Sequence, residues 1–114
     1  MARLDLHEES VDGVAILGVR GRVDTTTAPQ FGARLTEIFQ DGSRGLVLDL
    51  HELEYISSAG FRELLLAARR ADKVARRLIL CSIPGKVQQI FDIGGFVDLF
   101  SIAASRDEAL NAAR

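Results

Sequence analysis

The sequence predicts an α/β domain with a mixed, mostly parallel β-sheet that opens with an N-terminal hairpin and carries about four α-helices. Two features of the 114-residue chain support this class. Short apolar runs alternate with segments of helical periodicity, a pattern that favours a parallel sheet covered by helices. In addition, the first two strand-like runs are separated only by Asp12 and Gly13, a pair that is typical of tight hairpin turns.

The first half of the chain contains the predicted hairpin, one helix and one buried strand. A weak strand around Leu4 and Leu6 precedes a clearer one over residues 14–21. Apolar residues recur at helical spacing within residues 25–39, where Thr27 and Gln30 have the spacing of a capping box. Residues 46–50 form a short apolar run, which is expected to be a strand covered on both faces.

The second half contains three further helices and two strands. A helix follows the serine-rich motif at residues 57–60, and the apolar run at 77–83 predicts a central strand. A helix over 84–95 ends in glycines, an edge strand is predicted over 97–102, and a terminal helix is predicted over 105–114. In such a sheet Leu48 and Leu80 should be fully buried.

The composition predicts one globular domain over residues 1–114, because 47% of the residues are hydrophobic and 26% are charged. A formal charge of −2 argues against nucleic acid as the main partner. No stretch approaches the roughly 18 apolar residues of a membrane span, and the N-terminus lacks the apolar core of a signal peptide. A cytoplasmic location is therefore expected.

Residues for metal, cofactor or catalytic chemistry are sparse. His7 and His51 are far apart and lack metal-ligand spacing, and Cys81 lies in an apolar run where it is expected to pack as a small hydrophobe. No metal, no cofactor and no enzymatic activity are predicted. The alternative is a small hydrolase that assembles Ser57 or Ser58 with His51 and Asp49, since such triads are defined by geometry rather than by chain order.

Two groups of residues allow both a functional and a structural interpretation. Arg62, Arg69, Lys73 and Arg76 recur at helical spacing, and they form either a patch for an acidic partner or an ordinary solvated helix face. Phe91 and Phe96 are expected to fill the core rather than to stack on nucleic acid bases, because no basic residues are interleaved with them.

The segment EYISSAGFREL, residues 54–64, places two serines at the start of a predicted helix. A helix needs only one hydroxyl side chain as its N-cap, so the second serine is available for other chemistry. A helix N-terminus also stabilises negative charge, and a phosphoserine would carry about −1.5 to −2 charges there. Capping alone and phosphorylation both remain open on these grounds.

Three separated segments, VRGRVDTTTAPQF, LVLDLHELEYISSAGFRELL and LILCSIPGKVQQIFDIGGF, together resemble the STAS domain of anti-sigma-factor antagonists. The resemblance runs from about residue 4 to residue 112. It implies a single STAS domain in which Ser58, two places before Gly60, is the phosphorylated residue. Ser57 stands where many members have aspartate, and Ala59 stands where some have a second serine.

The same resemblance implies a partner-binding surface and a mechanism. The surface would include Ser58 with its neighbours Ser57, Ala59 and Gly60, and also Asp24, Thr25 and Arg62. For Asp24 the alternative is a structural role as a turn-forming or capping residue. The implied partners are an anti-sigma factor with serine kinase activity and a PP2C-type phosphatase, in a partner switch that controls sigma-factor-dependent transcription. The alternative is a STAS scaffold module of a stressosome-like or lipid-transport complex without a phosphorylation switch.

Overall fold

The structure is a computed structural model that describes residues 3–95 and 97–114. Within that part of the chain, six strands form one sheet: β1 Leu4–Val11, β2 Val14–Val23, β3 Gly45–Asp49, β4 Leu53–Ile56, β5 Arg77–Cys81 and β6 Ser101–Ala103. The helices that connect and cover the strands are α1 Ala28–Gln40, α2 Ser58–Lys73, α3 Gly85–Gly94 and α4 Arg106–Ala113, with a short 3-10 helix at Val97–Leu99.

The sheet has the order β1-β2-β3-β5-β6, with β4 pairing to β2 beyond the end of β3. Strand β1 is antiparallel to β2, and the remaining pairs are parallel. Asp12 and Gly13 connect β1 to β2 with φ angles of 53° and 82°, which are the positive values that a type I′ hairpin turn requires. The predicted fold class, a mixed and mostly parallel sheet opened by a hairpin and carrying four helices, is therefore confirmed.

The core lies on both faces of the sheet because side chains alternate along each central strand. One face packs against α1, α2 and α3, and there Leu48 and Leu80 are each 0% exposed, as predicted. The other face packs against α4 through residues such as Val47 and Cys81. Burial raises the pKa of the Cys81 thiol, so this cysteine behaves as the small hydrophobic residue expected from the sequence.

Strand β4 is an element that the sequence did not predict. It has only four residues, and its first two belong to the charged segment HELE (residues 51–54), so neither its length nor its composition indicates a strand. Its pairing with β2 begins at Gly21, whose N–H donates to the carbonyl of Glu52 at 3.1 Å, and the register shifts between Gly21 and Arg22. A contact between residues so distant in sequence has no local signal.

Three local predictions need correction. The edge strand predicted over 97–102 is confined to β6, because residues 97–99 form the 3-10 helix. Thr27 occupies the N-cap of α1, but its side chain does not cap the helix, so the predicted capping box is wrong. Arg76 lies beyond the end of α2, and its Nη1 donates to the carbonyl of Phe39 at 3.1 Å.

The aromatic residues at the end of α3 were predicted to fill the core. Phe91 is buried, and its ring meets that of Phe61 edge to face with 4.7 Å between the ring centres. Phe96 lies outside the described residues. No helix in the described part of the chain is long and apolar enough to cross a membrane.

Candidate functional site: the α2 N-terminus and the β2–α1 loop

Two segments of the predicted site meet at the carboxyl edge of the sheet. Val23 ends β2 and pairs with Ile56, which ends β4, so the two following segments leave the sheet side by side. The backbone N–H of Ser57 then donates to the carbonyl of Val23 at 2.8 Å. This bond connects the loop after β2 directly to the start of α2, and it brings Asp24 and Ser57 to the same edge.

Ser57 is the N-cap residue of α2. Its backbone is extended, with φ −90° and ψ 174°, and its Oγ accepts a hydrogen bond from the backbone N–H of Gly60 at 3.4 Å. Its carbonyl accepts the N–H of Phe61 at 3.0 Å. Ser57 therefore provides the side-chain cap of the helix.

Ser58 is the first residue of α2, and its side chain is exposed. Within residues 3–95 and 97–114, its hydroxyl has no hydrogen-bond partner. The first turn of α2 also contains no acidic residue, so the positive end of the helix dipole is not neutralised by its own side chains. The helix thus leaves one serine hydroxyl free for chemistry, at a position that favours negative charge.

Gly60 has a packing role in this arrangement. It is buried, and a Cβ built on it would lie 2.6 Å from Cγ1 of Ile56 and 2.7 Å from Cγ1 of Val23. Only glycine lets the first turn of α2 approach the ends of β2 and β4 this closely. Ala59 is half-buried and packs against the core, whereas Arg62, one turn after Ser58, is exposed.

Asp24 organises the loop that faces Ser57. Its Oδ1 accepts the backbone N–H groups of Thr26 at 2.9 Å and Thr27 at 3.1 Å. The neighbouring Thr25 is exposed. The Asp24 carboxylate therefore forms a local turn, and it remains partly accessible at the surface beside the α2 N-terminus.

Thr27 is a site residue whose role sequence reasoning missed. It is 7% exposed, its Oγ1 donates to the carbonyl of Arg22 at 2.8 Å, and the same oxygen accepts the N–H of Asp24 at 2.9 Å. Beside it, the Arg22 guanidinium lies 4.5 Å from the centre of the Tyr55 ring. These contacts hold the ends of β2 and β4 in place under the two loops, and a capping pattern was the only sequence signal near Thr27.

The hydrolase arrangement considered from the sequence is not assembled in the structure. Oδ2 of Asp49 accepts two hydrogen bonds from the guanidinium of Arg106, at 3.1 and 2.9 Å, and these bonds raise the pKa of Arg106. His51 meets Asp49 through its backbone N–H rather than through its imidazole. His51 lines a cleft of about 360 Å³ that includes neither Ser57 nor Ser58.

A metal centre also has no support in the described residues. They contain no group of three or more histidine, cysteine, aspartate or glutamate side chains placed to hold a metal ion. The features that the structure does bring together at the carboxyl edge are an exposed serine at a helix start, an aspartate turn and the packing glycine beneath them.

An α/β domain with an exposed serine at the start of its second helix is the class of protein that this geometry defines. The chain belongs to the STAS domain family, whose sequence model matches residues 6–109. It is 38% identical over 109 residues to BtrV of Bordetella bronchiseptica, which is assigned as an anti-sigma factor antagonist. The match covers 96% of this chain and 94% of BtrV.

Two solved structures share the fold. An anti-sigma factor antagonist from Mycobacterium paratuberculosis superposes with a TM-score of 0.88 at 24% identity, over 98% of this chain and 95% of that one. The phosphorylated form of SpoIIAA, a Bacillus cell fate determinant, superposes with a TM-score of 0.71 at 23% identity, over 96% of this chain and 100% of that one. At these identities the similarity demonstrates the fold alone.

Proposed function

We propose that this chain is an anti-sigma-factor antagonist that works by partner switching. In the unmodified state it binds an anti-sigma factor with serine kinase activity, and the sigma factor is released for transcription. The kinase then phosphorylates Ser58, which breaks the complex, and a PP2C-type phosphatase restores the antagonist. On this proposal the chain acts in the cytoplasm, as the substrate of an enzyme and not as an enzyme itself.

The proposal rests on the different environments of the two serines. Ser57 caps α2 through its bond with Gly60, whereas the Ser58 hydroxyl is exposed and without a partner in the described residues. A phosphate on Ser58 can therefore be added without removing a hydrogen bond that the fold needs. The similarity to BtrV over nearly the full chain supports the role of an anti-sigma-factor antagonist.

The size of the electrostatic effect is sufficient for a switch. A phosphate at Ser58 adds about −1.5 to −2 charges to a surface that is packed against the partner in the complex. One close contact with a like charge costs ~4 kcal/mol at an effective dielectric constant near 20. That free energy corresponds to about a thousandfold loss of affinity.

The surface around Ser58 includes the exposed residues Thr25 and Arg62 and the partly exposed Asp24. Ser57 and Ala59 contribute their half-buried side chains, and Gly60 contributes through the close packing that positions the turn. We propose that the partner contacts this whole edge, so that the phosphate lies inside the contact area rather than at its rim.

The test measures the binding of the anti-sigma kinases of the source organism to four proteins: the wild type and the variants Ser58→Ala, Ser58→Asp and Ser57→Ala. Ser58→Ala should bind constitutively, and Ser58→Asp should fold but bind weakly, because a carboxylate suits a helix N-terminus and disfavours the contact. Incubation of the wild type with the binding kinase and ATP should place one phosphate on Ser58, as mass spectrometry of the ISSAG segment will determine. Equal affinity of the wild type and Ser58→Asp would contradict the switch.

The matched control is Ser57→Ala, which removes the neighbouring hydroxyl. It should lower stability without preventing phosphate incorporation at Ser58, because the kinase acts on the exposed serine. A STAS scaffold module of a stressosome-like or lipid-transport complex predicts a different result. It would accept no phosphate at either serine, and Ser58→Asp would bind like the wild type.

A further inference from the structure

The outward face of α2 carries an unusual row of side chains. Arg62, Leu66, Arg69 and Lys73 recur at intervals of three and four residues, so they lie along one side of the helix, and all four are exposed. We call these four residues the outer stripe. Ser58 lies one turn before Arg62 on the same side, so the outer stripe begins at the proposed phosphorylation site.

The three cations of the outer stripe have no ion pair or hydrogen bond with any described residue of the chain. Several other cationic side chains on this fold are engaged, although Arg3 and Lys86 have no ion pair or side-chain hydrogen bond within the described residues. Arg34 binds Glu8 and Glu37, Arg70 donates to Thr36 Oγ1 at 2.5 Å, and Arg106 binds Asp49 and Glu9. The outer stripe is therefore a positive surface that the chain itself does not neutralise, although the whole chain has a formal charge of −2.

Of the three cations of the outer stripe, only Lys73 lies where the helix dipole stabilises a positive charge. Arg62 lies beyond the first turn of α2, where the helix dipole has little effect, and Arg69 and Lys73 place like charges four residues apart. Leu66 remains 42% exposed between the cations. The outer stripe combines three cations with an exposed leucine, and the exposed Asp72 lies beside it, three residues after Arg69.

We propose that the outer stripe docks an acidic helical segment of the anti-sigma factor. Carboxylates of that segment would pair with Arg62, Arg69 and Lys73, and an aliphatic side chain would cover Leu66. The distance from Arg62 to Lys73 along the helix is about 16 Å, which corresponds to three turns of a partner helix. The inference rests on the proposed function, because it names a second contact region of the same partner.

On this proposal, phosphorylation of Ser58 would also weaken binding of the acidic segment to the outer stripe. A dianion on Ser58 would lie one turn from Arg62 and would compete for the same cation as the acidic segment. Partner carboxylates that favour the unmodified protein would then be repelled by the phosphate. The outer stripe would thus contribute affinity in one state and not in the other.

The test is the affinity of the anti-sigma factor for the charge-reversal variant Arg69→Glu/Lys73→Glu, measured at low and high salt. The matched control is Arg44→Glu/Arg114→Glu, which makes the same change in net charge at the hairpin end of the sheet, where both arginines contact Asp12. We expect the stripe variant to bind about tenfold or more weakly at 50 mM salt and the control to bind within about twofold of the wild type.

The difference between the stripe variant and the wild type should shrink at about 500 mM salt, because exposed charges are then screened. A thermal unfolding curve close to that of the wild type will establish that the variant is folded. If the stripe variant binds like the wild type, or if both charge reversals weaken binding equally, the inference is wrong. Loss of binding to anionic vesicles or DNA with unchanged anti-sigma affinity would assign the outer stripe to another ligand and would also overturn it.

The proposed function fails on different results from these. It fails if no anti-sigma kinase binds the wild type, or if Ser58→Asp binds as tightly as the wild type. If the outer stripe does not bind the anti-sigma factor, the weaker binding expected for Ser58→Asp is unaffected. A second variant, Leu66→Gln, should weaken binding by an amount that does not depend on salt, because the lost contact is apolar.

Discussion

Replacing Gly60 with alanine should destabilise the domain, although alanine is the better helix former. Gly60 lies in the first turn of α2 with an ordinary helical backbone, so no positive φ angle opposes the change. The substitution is instead disfavoured by packing. The new methyl carbon would lie 2.6 Å from Cγ1 of Ile56 and 2.7 Å from Cγ1 of Val23, and both of these side chains are buried.

The magnitude follows from two opposing contributions. The gain in helix propensity from glycine to alanine is about 0.8–1 kcal/mol, and it is smaller in the first turn. Overpacking a core by one methyl group costs about 1–3 kcal/mol when branched neighbours cannot move aside. We expect a net loss of about 1–2 kcal/mol. For a domain of this size that loss lowers the midpoint of thermal unfolding by about 4–8 °C.

The assay is thermal unfolding followed by circular dichroism, with Gly85→Ala as the matched control. Gly85 starts α3, and nothing lies within 4 Å of a Cβ built there, so this variant should be as stable as the wild type or slightly more stable. A Gly60→Ala protein with an unchanged or higher midpoint would refute the reasoning. It would mean that α2 can move away from the sheet, and that the position of Ser58 is not fixed by this contact.

Three further predictions concern single side chains. Ser57→Ala should cost about 0.5–2 kcal/mol in urea unfolding, because it removes the cap of α2, and an unchanged midpoint would contradict that role. Ala75→Gly should stabilise by about 1 kcal/mol, because Ala75 follows α2 with φ 55°; a lower midpoint than the wild type would be inconsistent with backbone strain there. Cys81 should react with a thiol reagent only after denaturation, since burial raises its pKa, and rapid labelling of the native protein would exclude the buried position.

The parts of the fold that could be predicted are those with a local signal. Asp12 and Gly13 indicate the hairpin turn, and the apolar runs around Leu48 and Leu80 indicate buried strands, because each pattern depends on residues close in sequence. Strand β4 could not be predicted. Its four residues have no clear alternation, and it exists because β2 offers free backbone groups beyond the point where β3 ends.

In the site, too, only the features with a local sequence signal could be predicted. The serine pair indicated a cap and a possible acceptor, and the resemblance to the STAS domain, rather than the capping pattern, indicated Ser58 as the acceptor. The bond from the Gly60 N–H to the Ser57 Oγ identifies Ser57 as the cap. Thr27 resembled a helix cap, yet its hydroxyl binds the Arg22 carbonyl five residues earlier, and that choice depends on how β2 ends.

The hydrogen bond between the Ser57 N–H and the Val23 carbonyl has a consequence for substrate recognition. Many kinases bind their target residue in an extended peptide, whereas Ser58 lies in a helical turn whose neighbours are bonded to the sheet. A kinase that modifies Ser58 must therefore recognise a folded surface assembled from separate segments. A short synthetic peptide with the sequence around Ser58 lacks the loop around Asp24 and the helical turn, so it does not present that surface.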